Sequence, residues 1–170
     1  MSTFNTLIKW VKKGDTDRVR AILEGENVNL NQTDPKSGKG LLHLAIENGE
    51  SEVFDLLATQ PGVNLDLPNA QGETPLELAV SLNDTFMVGH LLGMNVNARR
   101  KNPQGETVLH TALRNQTDPE ILKKLFGKPF DINERIESYG SFLNLAIVSE
   151  QSDNFFFLIG KLGIKYTVPD

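Results

Sequence analysis

Glu73-Thr74-Pro75-Leu76-Glu77-Leu78-Ala79 is one of four copies of a single phrase. The other three read Lys39-Gly40-Leu41-Leu42-His43-Leu44-Ala45, Glu106-Thr107-Val108-Leu109-His110-Thr111-Ala112 and Gly140-Ser141-Phe142-Leu143-Asn144-Leu145-Ala146. Their alanines fall at 45, 79, 112 and 146, so the phrase recurs at steps of 34, 33 and 34 residues. A fixed period of that size means stacked supersecondary units, each unable to bury its apolar face alone. Such a stack offers an extended surface rather than a catalytic cleft, which directs the question of function to its exposed residues.

Working outward from the phrase gives the whole unit. Gly72 opens a turn, Thr74 is placed to cap a first helix, and Pro75 occupies its first position, where the missing amide costs nothing. Leu76, Leu78, Ala79 and Leu82 supply a buried stripe. Asn83-Asp84 reads as the inter-helix turn, Phe86, Val88, Leu91 and Leu92 as a second helix closed by Gly93, and Asn95-Val96-Asn97-Ala98 as an extended finger. The second unit repeats this with Gly49, Val53, Leu56-Leu57 and Gly62-Val63-Asn64-Leu65-Asp66, and the fourth with Ile121, Leu122, Leu125-Phe126 and Phe130-Asp131-Ile132-Asn133. In the first unit Leu7 and Trp10 stand in the slots of Leu42 and Ala45, and the fifth ends in Phe155-Phe156-Phe157. Divergent end units are expected where one face meets water instead of a neighbour.

The 170 residues therefore read as one all-α domain, 1–170, in units of about 4–37, 38–71, 72–104, 105–138 and 139–170. Net charge is −5 and aromatics are 7%, which disfavours nucleic acid or an anionic membrane as partner. The absence of cysteine removes disulfides and thiolate chemistry. Met1–Trp10 has no apolar core of a signal peptide, and no window approaches 18 apolar residues, so the expectation is a cytoplasmic protein without a membrane span.

The Gly-x-Thr-Pro-Leu-His-x-Ala phrase, the inter-helix Gly, the Leu-Leu pair and the Val-Asn finger resemble the ankyrin repeat family over roughly residues 4–166. Gly40 and Leu41 depart from the phrase in the second unit, Glu77 in the third, Val108 in the fourth, and Tyr139 and Asn144 in the fifth. The resemblance implies a solenoid of paired antiparallel helices with protruding hairpin fingers, whose activity is to bind other proteins. It also implies that His43 and His110 are buried and tie neighbouring turns by hydrogen bonds.

Little else suggests chemistry. His90 reads as a partly exposed helix residue, and neither Lys36-Ser37-Gly38-Lys39 nor Gly160-Lys161-Leu162-Gly163 has the spacing of a phosphate loop. The carboxylates make no acid–base pair at residue level. The chain is read as a non-enzyme with no cofactor and no metal.

The family resemblance places partner contacts on a concave face, at the turns around each Gly and at two residues late in each first helix. By position these are Lys36, Ser37, Lys39, Gln71, Glu73, Gln104, Glu106 and Ser138 in turns, and Glu47, Asn48, Ser81, Leu82, Arg114, Asn115, Val148 and Ser149 on helices. Arg99, Arg100 and Lys101 form the single positive run, in a finger that looks two residues longer than Gly62–Gly72, and fit an acidic segment of a partner. The acids Glu47, Glu50, Glu52, Asp55 and Asp66 gather in the second unit. One of Phe155–Phe157 either covers the end of the stack or marks an edge for association.

The expected function is a monomeric, non-catalytic adaptor or inhibitor of a protein partner. Lys36-Ser37-Gly38 followed by Leu42-His43-Leu44-Ala45-Ile46-Glu47 is similar to IκB-type inhibitors, which mask Rel/NF-κB transcription factors. The alternatives are a microbial or viral effector acting in the cytoplasm or nucleus of a host, and a structural protein that self-assembles through the Phe-rich edge.

Overall fold

The computed structural model describes residues 2–115, 117–127, 135–136, 140–141 and 160. Among them are eight short helices: α1 (Thr3–Val11), α2 (Thr16–Gly25), α3 (Leu41–Glu47), α4 (Ser51–Ala58), α5 (Pro75–Ser81), α6 (Thr85–Gly93), α7 (Val108–Arg114) and α8 (Pro119–Phe126). The fold class is all-α, in helix pairs. β-structure in the described residues amounts to a bridge between Thr33 and Gly40 and a two-residue antiparallel pair, β1 (Arg135–Ile136) with β2 (Gly140–Ser141).

Local chemistry sets the helix boundaries. Ser2, Asp15, Thr74, Asp84 and Asp118 each accept a backbone amide of the first turn, satisfying donors that the helix itself cannot. At α5 the cap is reciprocal: the Thr74 hydroxyl accepts from the Glu77 amide at 3.2 Å, and Glu77 accepts the Thr74 amide at 2.7 Å. The turns between paired helices are closed by a left-handed residue, glycine at 49 (φ 72°) and asparagine at 83 (φ 58°). Asparagine tolerates that conformation, and its side chain reaches the next repeat, where Asn83 Oδ1 accepts the Asp118 amide at 2.7 Å.

The chain groups into two compact units, 1–82 and 83–170. In the first, α1 packs on α2 and α3 on α4, and the pairs stack like on like, α1 against α3 and α2 against α4, with α5 continuing from α3. Leu7, Leu44, Phe54 and Leu57 are its largest fully buried side chains. In the second, α6 packs on α8 and α8 on α7, around Leu91, Leu109, Leu113, Ile121, Leu122 and Leu125. Burying each such side chain stabilises the unit by about 1.5–3 kcal/mol.

Two expectations require correction. Leu76, Leu78 and Ala79 are buried, but Leu82 is 49% exposed. α5 stops at Ser81, so Leu82 is its C-cap, already turning outward into the left-handed Asn83. The Arg99–Lys101 finger is also not lengthened. Gly93 belongs to α6, and the residue matching Gly62 (φ 78°) is Asn95 (φ 63°), so Gly62–Gly72 and Asn95–Gly105 have equal spans. Phe86, on the second helix as expected, is 69% exposed and stacks on His90 with ring centroids 5.9 Å apart. The readings of Phe130–Asn133, Phe142–Ala146 and Phe155–Phe157 lie outside the described residues.

Candidate protein-binding surface

Each described finger turn is built on one polar side chain. Asn69 Oδ1 accepts the amides of Gln71 at 3.0 Å and Glu73 at 2.9 Å; Asn102 Oδ1 accepts those of Gln104 at 3.0 Å and Glu106 at 2.9 Å. The same side chains donate back, from Asn69 Nδ2 to Glu73 Oε2 at 3.0 Å and from Asn102 Nδ2 to Glu106 Oε2 at 3.3 Å. In the preceding turn Asp34 takes this place, accepting the Lys36 amide at 3.1 Å, the Ser37 hydroxyl at 2.8 Å and the Lys12 ammonium at 3.3 Å. The Lys36 amide above all, with Ser37 and Lys12, holds the Asp34 carboxyl below its usual range despite burial.

A second link recurs eight residues apart. Lys39 Nζ meets Glu47 Oε1 at 2.6 Å, the Ser81 hydroxyl donates to Glu73 Oε1 at 3.3 Å, and Arg114 Nη1 meets Glu106 Oε1 at 2.6 Å. One partner lies just before a seven-residue inner helix and the other at its last residue. The two side chains thus bridge the length of that helix, about 10 Å. In the third and fourth repeats the glutamate is held from both sides, by asparagine on one oxygen and by serine or arginine on the other.

Six of the residues expected to contact a partner are therefore bonded to one another: Lys39 with Glu47, Glu73 with Ser81, and Glu106 with Arg114. Glu106 is buried, and both its oxygens are engaged. Lys36, Gln71, Arg99, Lys101 and Gln104 on the fingers, and Asn48, Leu82 and Asn115 at the helix ends, are exposed, as are Glu47, Ser81 and Arg114 of those pairs. Asn48 also donates to the Leu44 carbonyl at 2.7 Å. Ser37 and Arg100 are half-buried. Ser138, Val148 and Ser149 lie outside the described residues.

Asp34, Asn69 and Asn102 were not singled out from the sequence. The signal was present, since Asn69-Ala70-Gln71-Gly72-Glu73-Thr74 and Asn102-Pro103-Gln104-Gly105-Glu106-Thr107 share five of six residues.

The phrase's histidine slot is occupied in three ways. His43 is fully buried, and its Nε2 donates to the Glu73 carbonyl of the next repeat at 2.9 Å, the tie expected of it. A carbonyl only accepts, so the proton sits on Nε2 and Nδ1 is a bare acceptor. Nδ1 has no hydrogen-bond partner among the described residues. Burial, more than any other influence, pushes the His43 pKa below 6.5. His110 Nδ1 accepts the amide of Thr107 at 2.9 Å, and in the remaining slot the Glu77 carboxylate does the same for Thr74. Glu77 and His110 are helix caps, and His43 is a tie between repeats. No group of three or more metal-ligating residues occurs among the described residues, and no described helix is long and apolar enough to cross a membrane.

Residues 7–100, more than half of the chain, match the family model for ankyrin repeats in three copies. The chain is similar to the E3 ubiquitin-protein ligase KEG of Arabidopsis thaliana, 25% identical over 151 residues that cover 88% of this chain and 9% of that protein. Rabankyrin-5 of Mus musculus is 28% identical over 126 residues, 73% of this chain and 10% of that protein. The nuclear factor NF-kappa-B p105 subunit of Gallus gallus is 30% identical over 99 residues, 56% of this chain and 10% of that protein. The chain spans about a tenth of the length of these relatives.

Proposed function

The chain belongs to the ankyrin-repeat family, whose repeats are protein–protein interaction modules and generally non-catalytic, and on that premise we propose that it binds one protein partner through its finger tips and inner-helix ends. The observation that carries this reading is the contrast between constant and variable positions. In three successive repeats the finger is tied to its helix by the same pair of positions, while the outward residues beside it change from Lys36 to Gln71 and Gln104, and from Asn48 to Leu82 and Asn115. A rigid frame that presents varied polar side chains suits specific recognition, because little conformational entropy is lost on binding. Arg99, Arg100 and Lys101 add a positive finger in a chain of net charge −5, and an acidic segment of the partner fits them.

Affinity capture with the wild-type chain and with an Arg99→Glu/Arg100→Glu/Lys101→Glu variant tests the proposal. Proteins retained by the first and lost by the second are the expected partners. If a correctly folded variant retains the same proteins, and a second variant altered at Gln71 and Gln104 does too, the finger surface is not the binding site.

The similarity to the p105 subunit favours a second reading, an inhibitor of Rel-type transcription factors acting through the same face. A pull-down that fails to retain a Rel homology domain removes it.

A further inference from the structure

Trp10 is the single tryptophan of the chain and stands in the slot that Ala45, Ala79 and Ala112 fill in later repeats. Those alanines are fully buried, whereas Trp10 is half-exposed. Three cations surround its ring. Lys9 Nζ lies 4.5 Å from the centroid, Lys13 Nζ 5.4 Å and the Arg18 guanidinium carbon 4.2 Å. They come from different places in the chain: Lys9 from α1, Lys13 from the turn after it, and Arg18 from α2. All three are exposed.

The charges in this cluster do not balance. Asp15 meets Arg18 at 2.5 Å, but Lys9 and Lys13 have no ion pair among the described residues. Asp15 on Arg18 and the Glu50 carboxylate against Gly14, beside Lys13, are two carboxylates against three cations, which leaves a net positive patch whose like charges repel, offset by the face of one indole. Long lysine chains are ordinarily mobile. Here the ring already gathers their ammonium groups, so an arriving anion meets cations that are partly ordered in advance.

We propose that this Trp10 end of the α1–α2 pair is a second binding surface, separate from the fingers, for a short acidic peptide segment of a protein partner. The surrounding charges favour a segment over an extended polyanion. α4, which packs against α2, carries Glu52 and Asp55 and is preceded by its N-cap Glu50, whose carboxylate lies against Gly14. A nucleic-acid duplex or an anionic bilayer wide enough to cover the patch also meets these acids, on a chain of net charge −5. A few carboxylates on one peptide do not. Lys9 lies in the last turn of α1 and Lys13 just beyond it, and both ammonium groups sit at the one indole ring, so neighbouring carboxylates of a single short peptide can reach both.

Because Trp10 is the only tryptophan, its fluorescence reports on this patch alone. The full chain is titrated with a blocked Glu-Gly-Glu-Gly-Glu peptide at low and at physiological salt, with Gln-Gly-Gln-Gly-Gln as control. The expected result is a saturable change in emission that is at least tenfold weaker for the glutamine peptide and for a Lys9→Gln/Lys13→Gln variant. Binding is retained by Lys9→Arg/Lys13→Arg and by the Arg99→Glu/Arg100→Glu/Lys101→Glu variant, and circular dichroism verifies that each variant is folded. The absence of a saturable change overturns the proposal, as does equal binding by the Lys9→Gln/Lys13→Gln variant. Loss of binding in the finger variant assigns the peptide to the fingers instead. Tighter binding of a 12-base-pair duplex or a phosphatidylserine vesicle than of the peptide overturns the choice of occupant. The result is independent of the finger-surface reading, which capture with the finger variant decides by itself.

Discussion

Glu77 stands where the neighbouring phrases carry histidine, and it caps the Thr74 amide with a carboxylate oxygen at 2.7 Å inside a buried site. Glu77→Ala leaves that amide without its acceptor and is expected to cost about 1–3 kcal/mol, read from urea denaturation. Glu77→His should cost less, because His110 performs the same capping in the following repeat. His43 makes stability depend on pH. Its folded pKa is depressed, chiefly by burial, so as pH falls the unfolded chain takes up the proton first. The contribution is complete above pH 6.5 and is lost as pH falls from there through the folded pKa. The urea midpoint of the wild type is expected to fall between pH 7.5 and 5.5, and a His43→Gln variant to show a smaller fall. An equal fall in both would place the pH dependence elsewhere.

Within an element, the finger-to-helix link sets how the surface is presented. Glu106 is buried while Arg114 is partly exposed, so their ion pair is screened less than a surface pair. A double-mutant cycle with Glu106→Gln and Arg114→Gln is expected to give a coupling of about 1 kcal/mol, and a coupling near zero would reduce the link to a passive contact. The sequence placed these residues on turn and helix as candidate partner contacts and did not pair them with one another. Position follows from periodicity. Pairing depends on two side chains meeting across eight residues, and one repeat does this with Lys39 and Glu47 while another uses Glu106 and Arg114, so no residue type marks it. The capping of α5 by Thr74 was legible because it is local, three residues from donor to acceptor.

For the whole molecule, one-dimensional stacking predicts how stability is distributed. Leu109 is fully buried in the second unit, and Leu109→Ala is expected to cost about 2–5 kcal/mol. Trp10 fluorescence follows the first unit, and circular dichroism follows the helices of both. With nearest-neighbour coupling, the variant's dichroism midpoint should fall below its fluorescence midpoint. Coincident transitions would mean that the chain unfolds as one cooperative block. By itself the sequence determined the repeat, its period, the all-α helix pairs and the family, because these rest on local patterning repeated every 33 or 34 residues. Only the tertiary structure decided which polar side chains are spent on internal bonds, that Leu82 faces outward, and that Lys9, Lys13 and Arg18 meet at Trp10. Those outcomes depend on helix ends and on contacts between elements, where burial and distance are set by the packed chain rather than by neighbours in sequence.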